Sequence, residues 1–244
     1  HLCDRRQRQM CIRDSLIILG VTALITNVAI QKTTFKYEIP YMLLITAVLL
    51  VMGMTGNEIT FIEGVILWIL FIAYLLYLYI LAKKGNDSSD EQSVKLYPVW
   101  KCLLFIVLGG VCVVIGSQFV VNGATTIARA CGMSERFIGL TIVAFGTSLP
   151  ELVTSVSAAR KGNAGIAIGN IVGSNIFNIL FVVGTVALIC PVPFESRFVI
   201  DTVVAILCGV LLWGGTIRHK ELRKPCGVVM LLCYAAYFVY LAAM

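Results

Sequence analysis

Of thirteen acidic residues, Glu151 alone sits well inside an otherwise uncharged apolar stretch, FIGLTIVAFGTSLPELVTSVSAAR. A carboxylate within a bilayer is costly, and such a residue marks an ion or substrate path by default. On a helix, Thr147 and Ser148 fall four and three residues before Glu151, and Thr154 and Ser155 three and four after it, so hydroxyls and carboxylate are expected on one face. Oxygen donors of this kind suit a hard cation. Pro150 lacks an N–H and crowds the carbonyl of Gly146, which predicts a break or kink that frees backbone carbonyls as further ligands. The competing reading is a proline-kinked structural helix whose glutamate bonds a neighbour.

The next span, GNAGIAIGNIVGSNIFNILFVVG, repeats Gly165, Gly169 and Gly173 at four-residue spacing, a small stripe that lets another backbone approach. Packing alone explains those glycines. It does not explain Asn170, Ser174 and Asn178, which recur at the same spacing beside them and offer amide and hydroxyl groups inside an apolar span. An interhelical hydrogen-bond ladder is one reading, and an ion path is the other. Two consecutive spans, one broken and one glycine-rich, each with an oxygen stripe, are what a midplane ion site requires.

The elements that hold these residues are membrane spans. The chain has 244 residues, 59% apolar and 13% charged, with a mean hydropathy of +0.93, against roughly a quarter charged in soluble domains. Candidate spans lie near 16–30, 40–54, 61–82, 98–119, 137–160, 164–189, 199–216 and 226–243, which makes seven or eight crossings and an all-α polytopic fold. The net charge of +6 is dispersed among short loops and forms no basic helix, so nucleic acid is not an expected partner. The mixed-charge stretch 83–97, KKGNDSSDEQSVKLY, reads as a solvated linker between membrane halves 16–82 and 98–244. Lys and Arg divide twelve to three across alternate sides of the spans, which predicts a cytoplasmic linker and an outside C-terminus. Residues 1–15, HLCDRRQRQMCIRDS, differ in composition from the rest and read as a non-native leader outside the fold. Nine cysteines form no CxxC pair and are expected as small buried apolar groups.

The chain also repeats itself. LIILGVTALI (16–25) matches LFVVGTVALI (180–189) at an offset of 164, and at 163 Glu38 falls over Asp201, Gly64 over Gly227, Tyr74 over Tyr237 and Tyr77 over Tyr240. An odd number of helices between the copies predicts inverted topology, as in many secondary transporters. The counterpart of 98–178 would fall at about −66 to 14. That leaves two expectations: a fragment lacking an N-terminal repeat, or a half-transporter that forms a homo-oligomer.

GTSLPE (146–151) followed by GNIVGSNIFN (169–178) resembles the second α-repeat of the cation/calcium antiporter superfamily, the sodium/calcium exchanger family, most closely its bacterial branch. The resemblance spans Leu16 to Met244, with the second α-repeat at 137–184. It implies inverted repeats of about ten helices and alternating-access exchange of sodium for calcium, both as transported ions with no permanent cofactor. It implies that Glu151 is the carboxylate shared by calcium and sodium sites, that Thr147 and Ala144 offer backbone carbonyls, and that Ser148 and Ser174 are side-chain sodium ligands. Asn178 falls where some members carry aspartate, which leaves stoichiometry and proton sensitivity open. With half of the cage, the chain as written is not expected to transport alone. Cation/proton or potassium-dependent exchange and a passive cation channel stay as alternatives. An intramembrane enzyme does not, because the spans place no activating partner beside Ser148 or Thr147; His219 reads as an ordinary loop histidine. The resemblance and the absence of a targeting segment are compatible with a bacterial inner membrane.

Overall fold

The computed structural model describes residues 9–85, 98–194, 196–218 and 220–243. Most of the linker 83–97, the first half of the 1–15 segment, Cys3 and His219 therefore lie outside the described residues.

Long apolar runs become helices, and the breaks between them have local causes. Helix α1 covers residues 9–25, α2 Thr34–Gly56 and α3 Phe61–Gly85. Asn57 ends α2 in the left-handed region at φ 55°, and Thr60 and Glu63 form a capping box in which Glu63 Oε2 accepts from Thr60 N at 2.7 Å and its Oγ1 at 2.9 Å. In the second half, α4 is Val99–Ala130, α5 residues 135–146, α6 Leu149–Arg160, α7 residues 164–189, α8 Ser196–Ile217 and α9 Lys224–Ala243.

Among the described residues, six helices are long and apolar enough to cross a membrane: Thr34–Gly56, Phe61–Lys83, Val99–Ala130, Gly165–Ile189, Phe198–Ile217 and Lys224–Leu241. Hydropathy predicts two further apolar stretches. The first, near 16–30, belongs to α1, described from residue 9 to 25, and the second, 137–160, is divided between α5 and α6.

The inverted repeat is visible in what touches what. α1 packs on α9 and α3 packs on the end of α7, two contacts that the repeat offset exchanges. Each crosses at a glycine pair: a Cβ on Gly227 would stand 2.8 Å from the Gly20 carbonyl oxygen, and one on Gly64 would stand 3.0 Å from that of Gly184. Even the two short strand pairs obey the offset. β1 (Val28–Ala29) pairs antiparallel with β4 (Glu221–Leu222) at one end of the bundle, and β2 (Glu58–Ile59) with β3 (Val192–Pro193) at the other. Between them lies a core of Leu19, Ile45, Leu49, Ile168, Ile171 and Leu180.

α4 stands at the periphery, its apolar side chains exposed along most of its length as a lipid-facing helix requires. The cysteines depart from expectation here. Of the eight described, only Cys11 and Cys208 are buried, while Cys102, Cys112, Cys131, Cys190 and Cys233 are exposed. Cys102 and Cys112 stand on α4 among exposed apolar side chains, a surface that suits lipid.

Candidate ion site

The helix break falls where proline chemistry puts it. α5 ends at Gly146, Ser148 adopts φ −97° and ψ 1°, and α6 restarts at Leu149 with Pro150 in its first turn. Ser148 N donates to Phe145 O at 3.0 Å, one residue short of the helical partner, so the Ala144 carbonyl is released from the backbone ladder. Thr147 Oγ1 takes it up at 2.9 Å. Thr147 is exposed and Ala144 half-buried.

The single hydroxyl face expected around Glu151 divides in two. Ser148 and Ser155 are buried, with Glu151 half-buried between them. Thr147 and Thr154 are exposed and turn back onto main-chain carbonyls, Thr154 onto Pro150 O and Glu151 O at 3.0 Å each. Such back-bonding is an ordinary alternative for hydroxyls on a helix. What remains inward is Ser148, Glu151 and Ser155. Glu151 Oε2 and Ser155 Oγ are buried atoms without a hydrogen-bond partner among the described residues, and the buried Ser148 hydroxyl pairs with the Asp14 carboxyl. Buried polar atoms are nearly always satisfied, so orphaned oxygens on this face point to a guest of complementary chemistry.

α7 packs along α6 and presents the second stripe. Asn170, exposed, donates its amide to Thr154 Oγ1 at 3.3 Å and ties the two helices together. Ser174 is half-buried and Asn178 buried, its Nδ2 unpartnered. Of the three glycines, only Gly165 faces a neighbour closely: a Cβ there would stand 3.1 Å from the Gln31 side chain. Asn178 opens a widened π-helical stretch, Asn178–Val183, whose counterpart in α1 is Asp14–Ile18. Such widened turns are frequent at functional sites.

Two groups escaped the sequence reading. Asn175 is buried, donating to Ser15 Oγ at 2.9 Å and to Met42 Sδ at 3.6 Å; the four-residue period through Asn170, Ser174 and Asn178 passes it by. Asp14, wholly buried in α1, pairs its carboxyl with the Ser148 hydroxyl and faces Glu151. The offset that aligns Leu16 with Leu180 sets Asp14 against Asn178. That signal was in the sequence, in the segment set aside on composition.

Among the described residues, no group of three or more Asp, Glu, His or Cys comes together. A cation held here would draw on hydroxyl, amide and carbonyl oxygens beside its carboxylates, as hard cations do. A cavity of about 300 Å3 opens beside the break, where Ser117, Gln118 and Asn122 of α4 face Gly146, Thr147 and Pro150.

A discontinuous helix, a paired oxygen-bearing helix and crossed inverted repeats define a membrane transporter rather than an enzyme. The sequence profile of the sodium/calcium exchanger protein family matches residues 11–80 and 101–243, and the chain belongs to that family. A putative antiporter, CaxA, of Alkalimonas amylolytica is 34% identical over 236 residues, covering 93% of this chain and 74% of its own. The sodium/calcium exchanger MaX1 of Methanosarcina acetivorans is 38% identical over 142 residues, covering 58% of this chain and 41% of its own. Among solved structures, the sodium-calcium exchanger NCX_Mj soaked with zero Na+ and Ca2+ superposes with a TM-score of 0.80 at 30% identity, covering 98% of this chain and 76% of that one.

Proposed function

We propose that this chain carries out secondary active exchange of sodium for calcium by alternating access. In this reading Glu151 is the shared carboxylate, Ser148, Ser174 and Asn178 are side-chain ligands, and Ala144 and Thr147 contribute main-chain carbonyls. Sodium and calcium are cargo, and NCX_Mj has been solved after soaking with each. The observation that carries the proposal is the unpartnered Glu151 Oε2 facing a second buried carboxylate, Asp14, at a helix break inside a membrane stretch. An apolar alternative would have been less costly there; an ion that sheds its water supplies the missing partners.

In this reading residues 83–97 lie on the cytoplasmic side of an inner membrane and the C-terminus outside, which the basic-residue asymmetry supports. The strand pairs support that alternation, since β1 and β4 meet at one end of the bundle and β2 and β3 at the other. Proteoliposomes loaded with sodium and diluted into sodium-free medium test the exchange. Calcium uptake that collapses when the gradient is dissipated is the result this proposal requires, and it would overturn the expectation that half of the cage does not transport alone, since Asp14 adds a second carboxylate facing Glu151. Uptake indifferent to the gradient would make the protein a passive path instead.

A further inference from the structure

The repeat offset matches two carboxylates outside the candidate ion site, Glu38 and Asp201, and the structure treats them differently. Asp201 is closed off. Tyr237 donates its hydroxyl to Asp201 Oδ1 at 2.7 Å, both residues are buried, and Tyr240 stacks beside Tyr237 with ring centroids 6.3 Å apart. This is what the position looks like when it serves packing.

At Glu38 the carboxyl bonds Thr34 of its own helix, and the space beside it is a cavity. Glu38 is 9% exposed and borders a cavity of about 270 Å3 whose other walls are Tyr37, Tyr41, Ala73, Tyr74 and Tyr77. The four rings form a continuous wall: Tyr41 on Tyr74 at 5.6 Å, Tyr74 on Tyr77 at 6.2 Å and Tyr77 on Tyr37 at 6.3 Å between centroids. In the second repeat Ile200 and Val204 stand where Tyr37 and Tyr41 stand here, so two of the four rings belong to this copy alone. Tyr41 spends its hydroxyl on Leu70 O at 2.9 Å, whereas the buried Tyr77 hydroxyl has no partner among the described residues. Lys36 Nζ stands 5.2 Å from the centroid of the Tyr37 ring, so this wall already accepts an ammonium charge on one face.

We propose that the Glu38 pocket binds an organic ammonium group. A bare metal ion would need six or more oxygens, which one carboxylate and one or two hydroxyls do not supply. A weakly hydrated ammonium needs aromatic faces and one counter-charge, and both are present. The cavity is several times the roughly 30 Å3 that one water occupies in the liquid, room for a substituted ammonium. Lys36 and Lys83 mark this end of α2 and α3 as a bilayer–water boundary, where both a free amine and the ammonium head of a zwitterionic lipid can reach.

The test is calorimetric titration of the purified full chain with tetramethylammonium chloride against lithium chloride at equal ionic strength. It is paired with native mass spectrometry of protein released from nanodiscs of phosphatidylethanolamine or phosphatidylglycerol. Glu38→Gln should weaken the ammonium about tenfold or more. Tyr37→Leu, at a residue 51% exposed that keeps an apolar side chain against Tyr77, should weaken it about two- to fivefold, with thermal unfolding of the variant as the control for folding. Binding of tetramethylammonium that both variants weaken supports a free-amine site. Retention of phosphatidylethanolamine alone, lost in both variants, supports a lipid headgroup. Absence of both, or binding unchanged in Tyr37→Leu, overturns the proposal.

Discussion

Replacing Glu151 by Gln is the sharpest test of the ion site, because it keeps size and hydrogen-bonding shape and removes only the charge. Its Oε2 is buried without a partner, and the residue is half-buried overall. Removing one member of a buried charge pair costs about 3–5 kcal/mol, and at about 1.4 kcal/mol per decade that is roughly two to three and a half orders of magnitude in calcium affinity. The partial exposure of Glu151 argues for the lower end, about a hundredfold. Gradient-driven calcium uptake in proteoliposomes, with calorimetry on the same preparation, reads both transport and binding. Glu63→Gln is the control, since that carboxylate caps α3 through Thr60 and lies away from the break. It should cost at most about 1 kcal/mol of stability and leave exchange intact. Wild-type uptake by Glu151→Gln would refute the assignment, and equal loss in both variants would show that the assay reads folding rather than charge.

Asn178→Asp adds a carboxylate at a buried position whose amide nitrogen is unpartnered; calcium affinity should rise and transport should become steeper with pH, checked by uptake across a pH series. Gly64→Leu and Gly227→Leu each drive a side chain into a facing backbone carbonyl, and thermal unfolding in detergent should show a loss of about 1–3 kcal/mol in either. Glu135, outside the six long spans, accepts at 2.6 Å from Arg129 in the last turn of α4, and that bond holds its carboxyl below the ordinary value. That contribution is present above the ordinary value and lost as pH falls through the lowered one, so melting series over about pH 3–6 should lose an acid-range step in Glu135→Gln.

How much of this was legible depends on whether a residue acts through the backbone or through its surroundings. Pro150 cannot donate a hydrogen bond, so the break after Gly146 follows from the sequence alone. Glu151 was legible because charge inside an apolar run has few explanations. Which hydroxyls face inward was not, because Thr147 and Thr154 have main-chain carbonyls within reach and prefer them. Asn175 was hidden by a period that fits a regular helix, whereas α7 widens at Asn178. Asp14 was missed because composition is a property of a segment and burial is a property of a residue.

The two repeats divide their work along the same line. Positions that hold the helices together obey the offset: the glycine crossings of α1 with α9 and of α7 with α3, and both strand pairs. Polar positions keep the offset but differ in identity or in surroundings. Asn178 stands where the other copy has Asp14, and the closed Asp201–Tyr237 pair stands where the other copy has an open pocket around Glu38. A twofold skeleton lets each half rock against the other with equivalent contacts made and lost. Polar positions bound by the same symmetry would give two identical sites, and a single coupled site needs unlike contributions. Selection for packing therefore preserves the repeat in glycine and aliphatic residues, and selection for chemistry erodes it where charge and hydroxyl groups lie. The places where this chain fails to match itself are the places to look for what it binds.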